Sequence, residues 1–460
     1  MRRSLLLFFF LLPFAAPSAA PLAAQQGDPP PGIRLSGAYD ARQRPLLAVR
    51  PFTAAGAIAE AADSVLTILR RDLTYSDRYN MAGAIPATLV DGDVDYAQWN
   101  SLNVVYLVTG DITATTRGYD IALAVHDVVY RRVLLRERYA LPAATDPDFR
   151  MAVHALSDEV VRRTLNVPGS AASRIAFTRQ NLDAGGSHDL LIIDADGFGV
   201  RRIAGFGSQL YSPDWSPDAR RVLYAVNDPN AGWQLIERDV ASGSQRTIRP
   251  GGDMVLTPTY APDGRSIALG IWRGDRSEIT RYNIEQQCCA ERISGQGRNI
   301  ETGPSFSADG RRLAFISDRL GRNALFVARA DGADPVLVSP FVRGQRSDYN
   351  SPSWSPTDSR VAFHGHWNRV GNWAFQILVA DADRPGGQIE QITTRGENED
   401  PSWAPDGRHI VYTSVGDGPG GLYVIDVDTK NRRLLVSGGN MRMANWSAPL
   451  VRASDLIVRR

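Results

Sequence analysis

The sequence predicts a mainly β protein, in which a small α/β domain precedes a six-bladed β-propeller that is closed by a C-terminal strand. Three observations lead to this prediction. A short segment that ends in an aromatic residue recurs six times between Pro213 and Trp446. These segments are followed by tight-turn signals and short β-rich runs. The N-terminal third instead alternates strand patterns with helical ones.

The recurring aromatic residues stand 43 to 49 residues apart along the chain. They are Trp215, Tyr260, Phe306, Trp354, Trp403 and Trp446. Internal repeats of 20–50 residues are typical of propellers, solenoids and other arrays. The alternative is a β-solenoid or a β-sandwich, and the long period with a single aromatic residue per unit disfavours both.

Each repeat carries enough strand signals for one propeller blade. A turn of the Ser-Pro-Asp-Gly kind follows the aromatic residue, and Pro at its second position with Gly at its fourth favours a type I turn. In the first copy, the β-rich runs Arg221–Val226, Gln234–Val240 and Gln245–Ile248 come next. Together with the strand that ends in the aromatic residue they give four strands, the number in a blade.

The two ends of the repeat array complement each other. The run Arg174–Arg179 resembles the strand after the turn, but no aromatic segment precedes it. The run Asn445–Ser447 is an aromatic segment with only a tail behind it. We therefore expect the C-terminal strand to complete the first blade, because a closed ring leaves no exposed sheet edge. The propeller is predicted over residues 169–451, with a tail over 452–460.

The N-terminal α/β domain is predicted over residues 33–168. Strands are expected at Leu46–Phe52, Val104–Thr109, Tyr119–Val125 and Val133–Tyr139. Apolar residues at helical spacing predict one helix between Ile58 and Leu73 and a closing helix from Phe149 to Leu165.

The first 24 residues have the order of a secretory signal peptide. Arg2 and Arg3 precede the apolar run Leu5–Phe14, and small residues follow up to Ala24. The apolar run is shorter than the roughly 20 residues of a membrane-spanning helix, so we expect an exported protein. An uncleaved anchor is the alternative. Residues 25–32 form a Pro-rich N-terminal arm.

The two cysteines, Cys288 and Cys289, are adjacent in the sequence. Neighbouring Cα atoms lie about 3.8 Å apart, below the usual disulfide range of about 4.4–6.8 Å. We interpret them as an accidental pair in the outer hairpin of the third blade, with a strained vicinal bridge as the alternative.

Neither composition nor motifs indicate an enzyme. The chain has 51 basic and 50 acidic residues, so it lacks the basic field typical of nucleic-acid-binding proteins. No nucleophile elbow occurs in the sequence, and no P-loop or dinucleotide-binding glycine fingerprint, which joins a strand to a helix, is present. His364 and His366 lack a third metal ligand, and Asp194–Gly197 predicts a hairpin turn rather than a calcium loop. We therefore predict no catalytic residue, no metal and no cofactor.

The loops that precede the aromatic segments should meet at one mouth of the propeller channel. They include Met254–Thr257, Asn299–Thr302, Ser347–Asn350 and Glu397–Asp400. Their mixture of apolar, aromatic and acidic side chains suits a protein-binding surface, and ordinary solvated loops are the equal alternative.

The order of parts along the chain resembles the TolB family, the periplasmic component of the Tol–Pal system, over nearly the whole mature length. The resemblance depends on Arg44–Phe52, Trp99 before Val104–Asp111, Val153–Glu159, Arg174–Phe177 and Asn445–Leu450. It implies a monomeric, non-enzymatic adaptor in the periplasm. Such an adaptor binds the peptidoglycan-associated lipoprotein Pal at the propeller mouth and supports outer-membrane integrity and invagination during cell division. It also implies that the N-terminal arm contacts a TolA-like inner-membrane protein.

The register of the repeat then gives candidate partner-binding residues, whose side chains should be exposed. They are Met254, Thr257, Glu301, Thr302, Tyr349 and Glu399. In the arm, three prolines between Gly27 and Gly32 lack backbone donors, so strand pairing is left to Ile33, Arg34 and Leu35. The alternative function is an exported propeller that binds a small ligand or a metal in its channel, as a sensor or an enzyme-associated module.

Overall fold

The structure is a computed structural model that describes residues 43–54, 58–205, 207–294, 297–340, 348–367 and 374–458. The predicted signal peptide, the Pro-rich arm and the arm residues Ile33, Arg34 and Leu35 lie outside these described residues. Among the described residues, none of the helices has the length and apolar character that crossing a membrane requires.

The N-terminal domain contains a five-stranded sheet in the order β2-β1-β3-β4-β5. Its strands are β1 (Leu46–Val49), β2 (Asn80–Met81), β3 (Tyr106–Thr115), β4 (Gly118–Asp127) and β5 (Arg132–Pro142). Strand β1 is parallel to β2 and β3, whereas β3, β4 and β5 form an antiparallel meander. The four strands predicted for this domain are therefore confirmed.

Two long helices cover one face of this sheet. Helix α1 (Ala59–Tyr75) and helix α3 (Phe149–Leu165) bury Leu69 and Leu156 against Leu123 of the sheet, as the apolar spacing predicts. The short helix α2 (Tyr96–Ser101) lies on the other face, where Trp99 packs against Ala48 and Leu107. The described residues thus cover the second face over only part of its length.

The remaining strands form six four-stranded antiparallel sheets, the predicted six blades. They are β6 (Arg174–Asn181), β7 (Ser187–Asp194), β8 (Arg201–Ala204), β9 (Gln209–Trp215), β10 (Arg221–Asp228), β11 (Gly232–Asp239), β12 (Gln245–Ile248), β13 (Met254–Tyr260), β14 (Ser266–Arg273), β15 (Arg276–Asn283), β16 (Cys288–Arg292), β17 (Glu301–Phe306), β18 (Arg312–Ser317), β19 (Ala324–Arg329), β20 (Val336–Leu337), β21 (Tyr349–Trp354), β22 (Arg360–His366), β23 (Phe375–Asp381), β24 (Glu390–Gln391), β25 (Glu397–Trp403), β26 (His409–Val415), β27 (Gly421–Asp426), β28 (Arg432–Ser437) and β29 (Met441–Trp446). Blades 2 to 6 each use four consecutive strands, beginning at β9.

Blade 1 is closed by the C-terminal strand, in the order β29-β6-β7-β8. Trp446 pairs with Ile175, and its indole Nε1 donates a hydrogen bond to Ser173 Oγ at 2.7 Å. The predicted closure is therefore confirmed, and the last blade meets the first without a free edge at this seam.

Each interface between neighbouring blades contains one of the six recurring aromatic residues. Trp215 packs between blades 1 and 2, Tyr260 between 2 and 3, and Phe306 between 3 and 4. Trp354, Trp403 and Trp446 fill the remaining three interfaces in the same way. The repeat period thus reflects a packing requirement, because every blade must bury one large side chain against its neighbour.

The N-terminal domain contacts the propeller at the end opposite the predicted mouth. In blade 1, Asp196 in the β7–β8 turn pairs with Arg71 of α1 and Arg150 of α3. Its carboxylate also lies 3.7 Å from Nε2 of His154. The Asp196 side chain is only 3% exposed, so its charge depends on these partners.

Blade 6 supplies the second contact with the N-terminal domain. His409 Nδ1 lies 2.6 Å from Asp406, and its Nε2 lies 3.4 Å from Asp77, the residue two positions after α1. Arg408 donates a hydrogen bond to the backbone oxygen of Asp77 and pairs with Asp426. The domain is thus attached to blades 1 and 6, the two blades that meet at the seam.

Candidate functional site

The channel is lined by a structural feature that recurs in all six inner strands. One residue in each strand has a positive φ, and a break in strand register follows from it. These residues are Ser212, Thr257, Gly303, Ser351, Asp400 and Met443. In five strands a proline comes next, and in the sixth it is Ala444. The resulting bulge bends the strand and changes its direction, so the residues before it face the mouth.

Side chains just after the bulge join neighbouring blades around the channel. Asp214 accepts a hydrogen bond from the Tyr260 backbone N–H at 2.7 Å, and Asn445 accepts one from the Trp215 N–H at 2.9 Å. Ser305, Ser353 and Ser402 accept from the next aromatic N–H in the same way. They surround a channel cavity of about 130 Å³. Burial raises the pKa of Asp214 to about 7, although hydrogen bonds donated by the Tyr260 backbone N–H and the Asn445 side-chain amide oppose the shift.

Four of the predicted partner-binding residues are half-buried at the mouth, and three of them lie close together. Thr257 Oγ1 is 3.3 Å from Thr302 Oγ1, across the boundary between blades 3 and 4. Met254 precedes Thr257 on β13 and pairs with Trp272 of β14. We call Met254, Thr257, Trp272 and Thr302 the mouth cluster. Glu399, the fourth, lies in blade 6 and pairs with Arg442, away from the cluster.

A close backbone approach holds the mouth cluster together. A Cβ atom placed on Gly270 would lie 3.1 Å from the Trp272 ring and 3.4 Å from the hydroxyls of Thr257 and Thr302. Glycine at this position therefore lets these side chains converge over the β14 backbone. The cluster combines apolar, aromatic and hydroxyl groups without a charged side chain.

The expected exposure of Glu301 is wrong. Its side chain is only 1% exposed, and its carboxylate accepts a hydrogen bond from Ser317 Oγ at 3.1 Å and pairs with Arg319. The Arg319 guanidinium in turn lies over the Phe326 ring. Glu301 begins strand β17, so its side chain points into the blade and needs a buried partner. It is a structural residue and not part of the open surface.

The expected exposure of Tyr349 is also wrong. It is 3% exposed and packs edge-on against Phe363 with ring centroids 5.3 Å apart. A Cβ on Gly365 would lie only 2.3 Å from the Tyr349 ring, so the ring fills the space over that glycine. Burial raises the pKa of Tyr349 to about 12. The repeat register locates this residue correctly but does not reveal that its ring turns inward.

The structure adds half-buried aromatic residues at the mouth that the sequence analysis did not select. Trp233 packs against Tyr211 in blade 2 with ring centroids 5.5 Å apart, and Trp272 belongs to the mouth cluster in blade 3. Phe375 in blade 5 stacks on His366 with centroids 3.9 Å apart. Each flanks the hairpin between the second and third strands of its blade. The sequence could have identified these residues, because each is an aromatic residue beside a hairpin that also lies at the mouth.

The two histidines considered as metal ligands have other contacts. His364 Nδ1 accepts a hydrogen bond from the Asp400 backbone N–H at 3.0 Å, which requires an unprotonated nitrogen. Burial lowers the pKa of His364, in agreement with this neutral state. Among the described residues, groups with three potential metal ligands occur instead at Asp72–His154–Asp196 and Asp77–His409–Asp426. Arg71, Arg150 and Arg408 pair with these carboxylates and disfavour a cation there.

Two smaller predictions have clear outcomes. Asp194–Gly197 is the hairpin turn between β7 and β8, as predicted. The cysteines lie in the outer hairpin of blade 3, also as predicted, but they form the vicinal disulfide that was the alternative. Cys289 has a φ of 64°, and this left-handed conformation at the start of β16 accompanies the bridge.

Comparison with known proteins gives matches to both parts of the chain. Residues 37–134 match the model of the TolB amino-terminal domain, and residues 163–450 match the model of the TolB beta propeller domain. The Tol-Pal system protein TolB of Bordetella parapertussis is 27% identical over 402 residues, which are 82% of each protein. That of Alcanivorax borkumensis is 27% identical over 231 residues, 49% of this chain and about half (52%) of that relative.

A solved structure has the same fold. The crystal structure of TolB from Acinetobacter baumannii superimposes with a TM-score of 0.73 at 22% sequence identity. The match covers 88% of this chain and 97% of that chain, so it includes both the N-terminal domain and the propeller.

Proposed function

The chain belongs to the TolB family, and from this premise we propose that it is a non-enzymatic adaptor of a Tol–Pal-like envelope system. Its partner in this proposal is a peptidoglycan-associated lipoprotein of the outer membrane, which docks over the propeller mouth. Through that contact the protein supports outer-membrane integrity and the invagination of the envelope during cell division.

The mouth cluster is the observation that carries this proposal. Its members are half-buried and uncharged, and they occupy adjacent blades at the end opposite the N-terminal domain. Half-buried aromatic and apolar side chains bind partners efficiently, because little ordering cost remains and water is excluded from the contact. Trp233 and Phe375 extend the apolar surface around the rim and supply further anchors for a folded partner.

Charge at the mouth has a secondary part in the proposal. Glu399 is paired with Arg442, and both side chains are partly exposed, at 22% and 51%. Exposed charges mainly affect the association rate and its salt dependence. Glu399 is therefore proposed to steer the partner, whereas Glu301 is excluded from that role by its burial.

The proposal also assigns the parts of the chain. Residues 1–24 are removed as a signal peptide, which places the mature protein in the periplasm as a monomer. Residues 25–32 form the arm, 33–168 the N-terminal domain, 169–451 the propeller and 452–460 the tail. In this proposal, Ile33, Arg34 and Leu35 contact a TolA-like inner-membrane partner.

Calorimetric titration of the mature chain with the soluble domain of the peptidoglycan-associated lipoprotein from the same organism tests this proposal. We expect saturable binding with one site and a Kd of about 1 μM or tighter, which corresponds to about −8 kcal/mol. A pull-down from envelope extract should recover the same lipoprotein. Absence of binding at about 100 μM together with a tightly held metal in the purified protein would instead support a ligand-binding channel.

A further inference from the structure

In the part of the chain that the structure describes, the second face of the N-terminal sheet is uncovered beside α2. Trp99 and its neighbours cover the part of this face near Ala48 and Leu107. Farther along the strands the sheet presents the small residues Thr109, Ala122 and Ala124. Small side chains on an uncovered sheet face leave a hollow, and here that hollow is a cavity of about 460 Å³. This volume lies within the range of about 300–1,000 Å³ that is typical of small-molecule sites.

A buried cation without an acidic partner forms one wall of this cavity. Arg50 is only 7% exposed, and its guanidinium donates hydrogen bonds to the backbone oxygens of Val90 at 2.7 Å and Gly92 at 3.1 Å. Among the described residues, no carboxylate oxygen lies within 4.0 Å of its nitrogen atoms. A guanidinium has five N–H donors, so two of them remain for a ligand. A buried charge that lacks a counterion favours the binding of an anion.

A second cation and two carboxylates also line the cavity. Arg136 on β5, Asp111 on β3 and Asp93 in the loop before α2 are exposed at its rim. In the described part of the chain, none of these three groups forms an ion pair within 4.0 Å, either with each other or with Arg50. Charges of both signs therefore line this cavity without pairing directly with each other. A ligand with charges of both signs would bridge them.

His126 fixes the floor of the cavity in a neutral, polar state. Its Nδ1 lies 3.0 Å from the Tyr96 hydroxyl and its Nε2 lies 3.2 Å from Thr109 Oγ1, so both nitrogens have neutral partners. Burial, together with the positive charges of Arg136 and Arg50, lowers the pKa of His126 to about 4. Both guanidinium groups therefore act on the same point of the cavity, and His126 adds no competing charge there.

We infer that this cavity binds a small zwitterion, a free amino acid or a short peptide, with its carboxylate at Arg50 and Arg136 and its ammonium group at Asp93 and Asp111. The paired hydrogen-bond geometry of guanidinium groups suits a carboxylate. This site is on the N-terminal domain and does not depend on the propeller mouth, so it goes beyond the proposed adaptor function.

Calorimetric titration of the mature chain with glycylglycine tests the inference. We expect saturable binding with a Kd of about 1 mM or tighter. Arg136→Gln should weaken it at least about tenfold. The matched control is Arg138→Gln, which removes the same charge from the same strand but from a side chain that faces Asp120. The control should change the Kd less than about twofold. Both arginines are exposed, so both variants should fold.

Further probes separate the two charges of the ligand and locate the site. N-acetylglycine, which lacks the ammonium group, and glycinamide, which lacks the carboxylate, should each bind more weakly than glycylglycine. The imidazole NMR signals of His126 should shift during the glycylglycine titration and disappear from the spectrum of His126→Gln.

Three results would overturn the inference. The first is the absence of saturable glycylglycine binding, and the second is an equal effect of Arg136→Gln and Arg138→Gln. The third is tighter binding of inorganic phosphate than of glycylglycine, which would identify a site for simple anions.

Discussion

The two ends of the propeller are built from different kinds of contact. At the end that meets the N-terminal domain, Asp196, Asp406 and Asp426 have side chains no more than 3% exposed, and each is paired with Arg or His. At the mouth, Met254, Thr257 and Thr302 are uncharged and half-buried. Loss of one partner from a buried ion pair strongly destabilises the fold, because the other charge stays buried without a counterion. Half-buried neutral groups carry no such cost when they are exposed to water. One end therefore holds the molecule together, and the described residues of the other end present an uncharged surface that we propose for a partner.

The same repeat position can serve either purpose. Asp196 in blade 1 and Asp331 in blade 4 occupy the same place in equivalent hairpin turns, and each accepts a backbone hydrogen bond at 3.0 Å from the residue two positions later. Asp196 is 3% exposed beneath the N-terminal domain, whereas Asp331 is 55% exposed. The local sequence forms the turn in both blades, and only the surroundings turn one of them into an attachment point.

The largest effect is expected at the seam that the N-terminal domain spans. Deletion of residues from Met443 onward removes most of the inner strand of blade 1 and takes Trp446 out of the interface with blade 6. Loss of one large buried aromatic residue alone costs about 3–5 kcal/mol. The truncated protein should be insoluble or melt far below the full chain in a thermal scan. An unchanged melting temperature would contradict closure of the ring by this strand.

The second largest effect is a difference in stability between substitutions in the two equivalent turns. Asp196→Ala should lower the free energy of unfolding by about 3 kcal/mol, because it leaves Arg71 and Arg150 without their buried counterion. Asp331→Ala, the matched control, should cost less than about 1 kcal/mol because its ion pair is exposed. Urea denaturation of both variants measures the difference. Equal losses would mean that the domain contact does not depend on Asp196.

The two ends should also differ in their response to pH. Asp406 and Asp77 raise the pKa of His409 to about 9 against the effect of burial, so its contribution to stability is complete below pH 6.5 and lost as the pH rises to 9. Burial lowers the pKa of His364 near the mouth, so its contribution is lost as the pH falls below 6.5. Denaturation of His409→Gln should differ in pH slope from the parent only above pH 6.5, and that of His364→Gln only below it. The opposite pattern would contradict both assignments.

The smallest effect is expected at the exposed disulfide. Replacement of both Cys288 and Cys289 by Ser should change the free energy of unfolding by about 1 kcal/mol or less, because Cys289 is exposed in an outer hairpin. Thermal melting with and without reductant checks this for the parent as well. A large loss in both experiments would show that the bridge holds blade 3 in place.

The sequence predicts the fold well because each repeat contains the aromatic residue that packs between neighbouring blades. Six aromatic residues, a turn after five of them and a missing strand at each end are enough to predict six blades and their closure. The contacts between the N-terminal domain and blades 1 and 6 could not be predicted in this way. Asp196 and Asp331 look alike in sequence, and only the fold determines which of them lies under the domain.

The candidate site was predicted only in part. The register places Met254, Thr257 and Thr302 at the mouth, and the structure brings Thr257 and Thr302 together over Gly270. The repeat register does not distinguish side chains that point into the blade from those that point to solvent at the start of a strand. Glu301 and Tyr349 were therefore expected to be exposed. Trp272 was missed because it lies on the neighbouring strand, and strand pairing brings it beside Met254.

The central claim, that the mouth is free to bind a partner, is tested most directly by affinity measured beside stability. Met254→Asp and Thr302→Arg should each weaken binding of the lipoprotein domain at least about tenfold, or about 1.4 kcal/mol, with little change in melting temperature. The matched controls are Val336→Asp and Thr247→Arg, on the exposed outer strands of blades 4 and 2. They should leave both quantities unchanged. Affinity that stays at the parent value in both mouth variants would contradict the account and place the partner elsewhere.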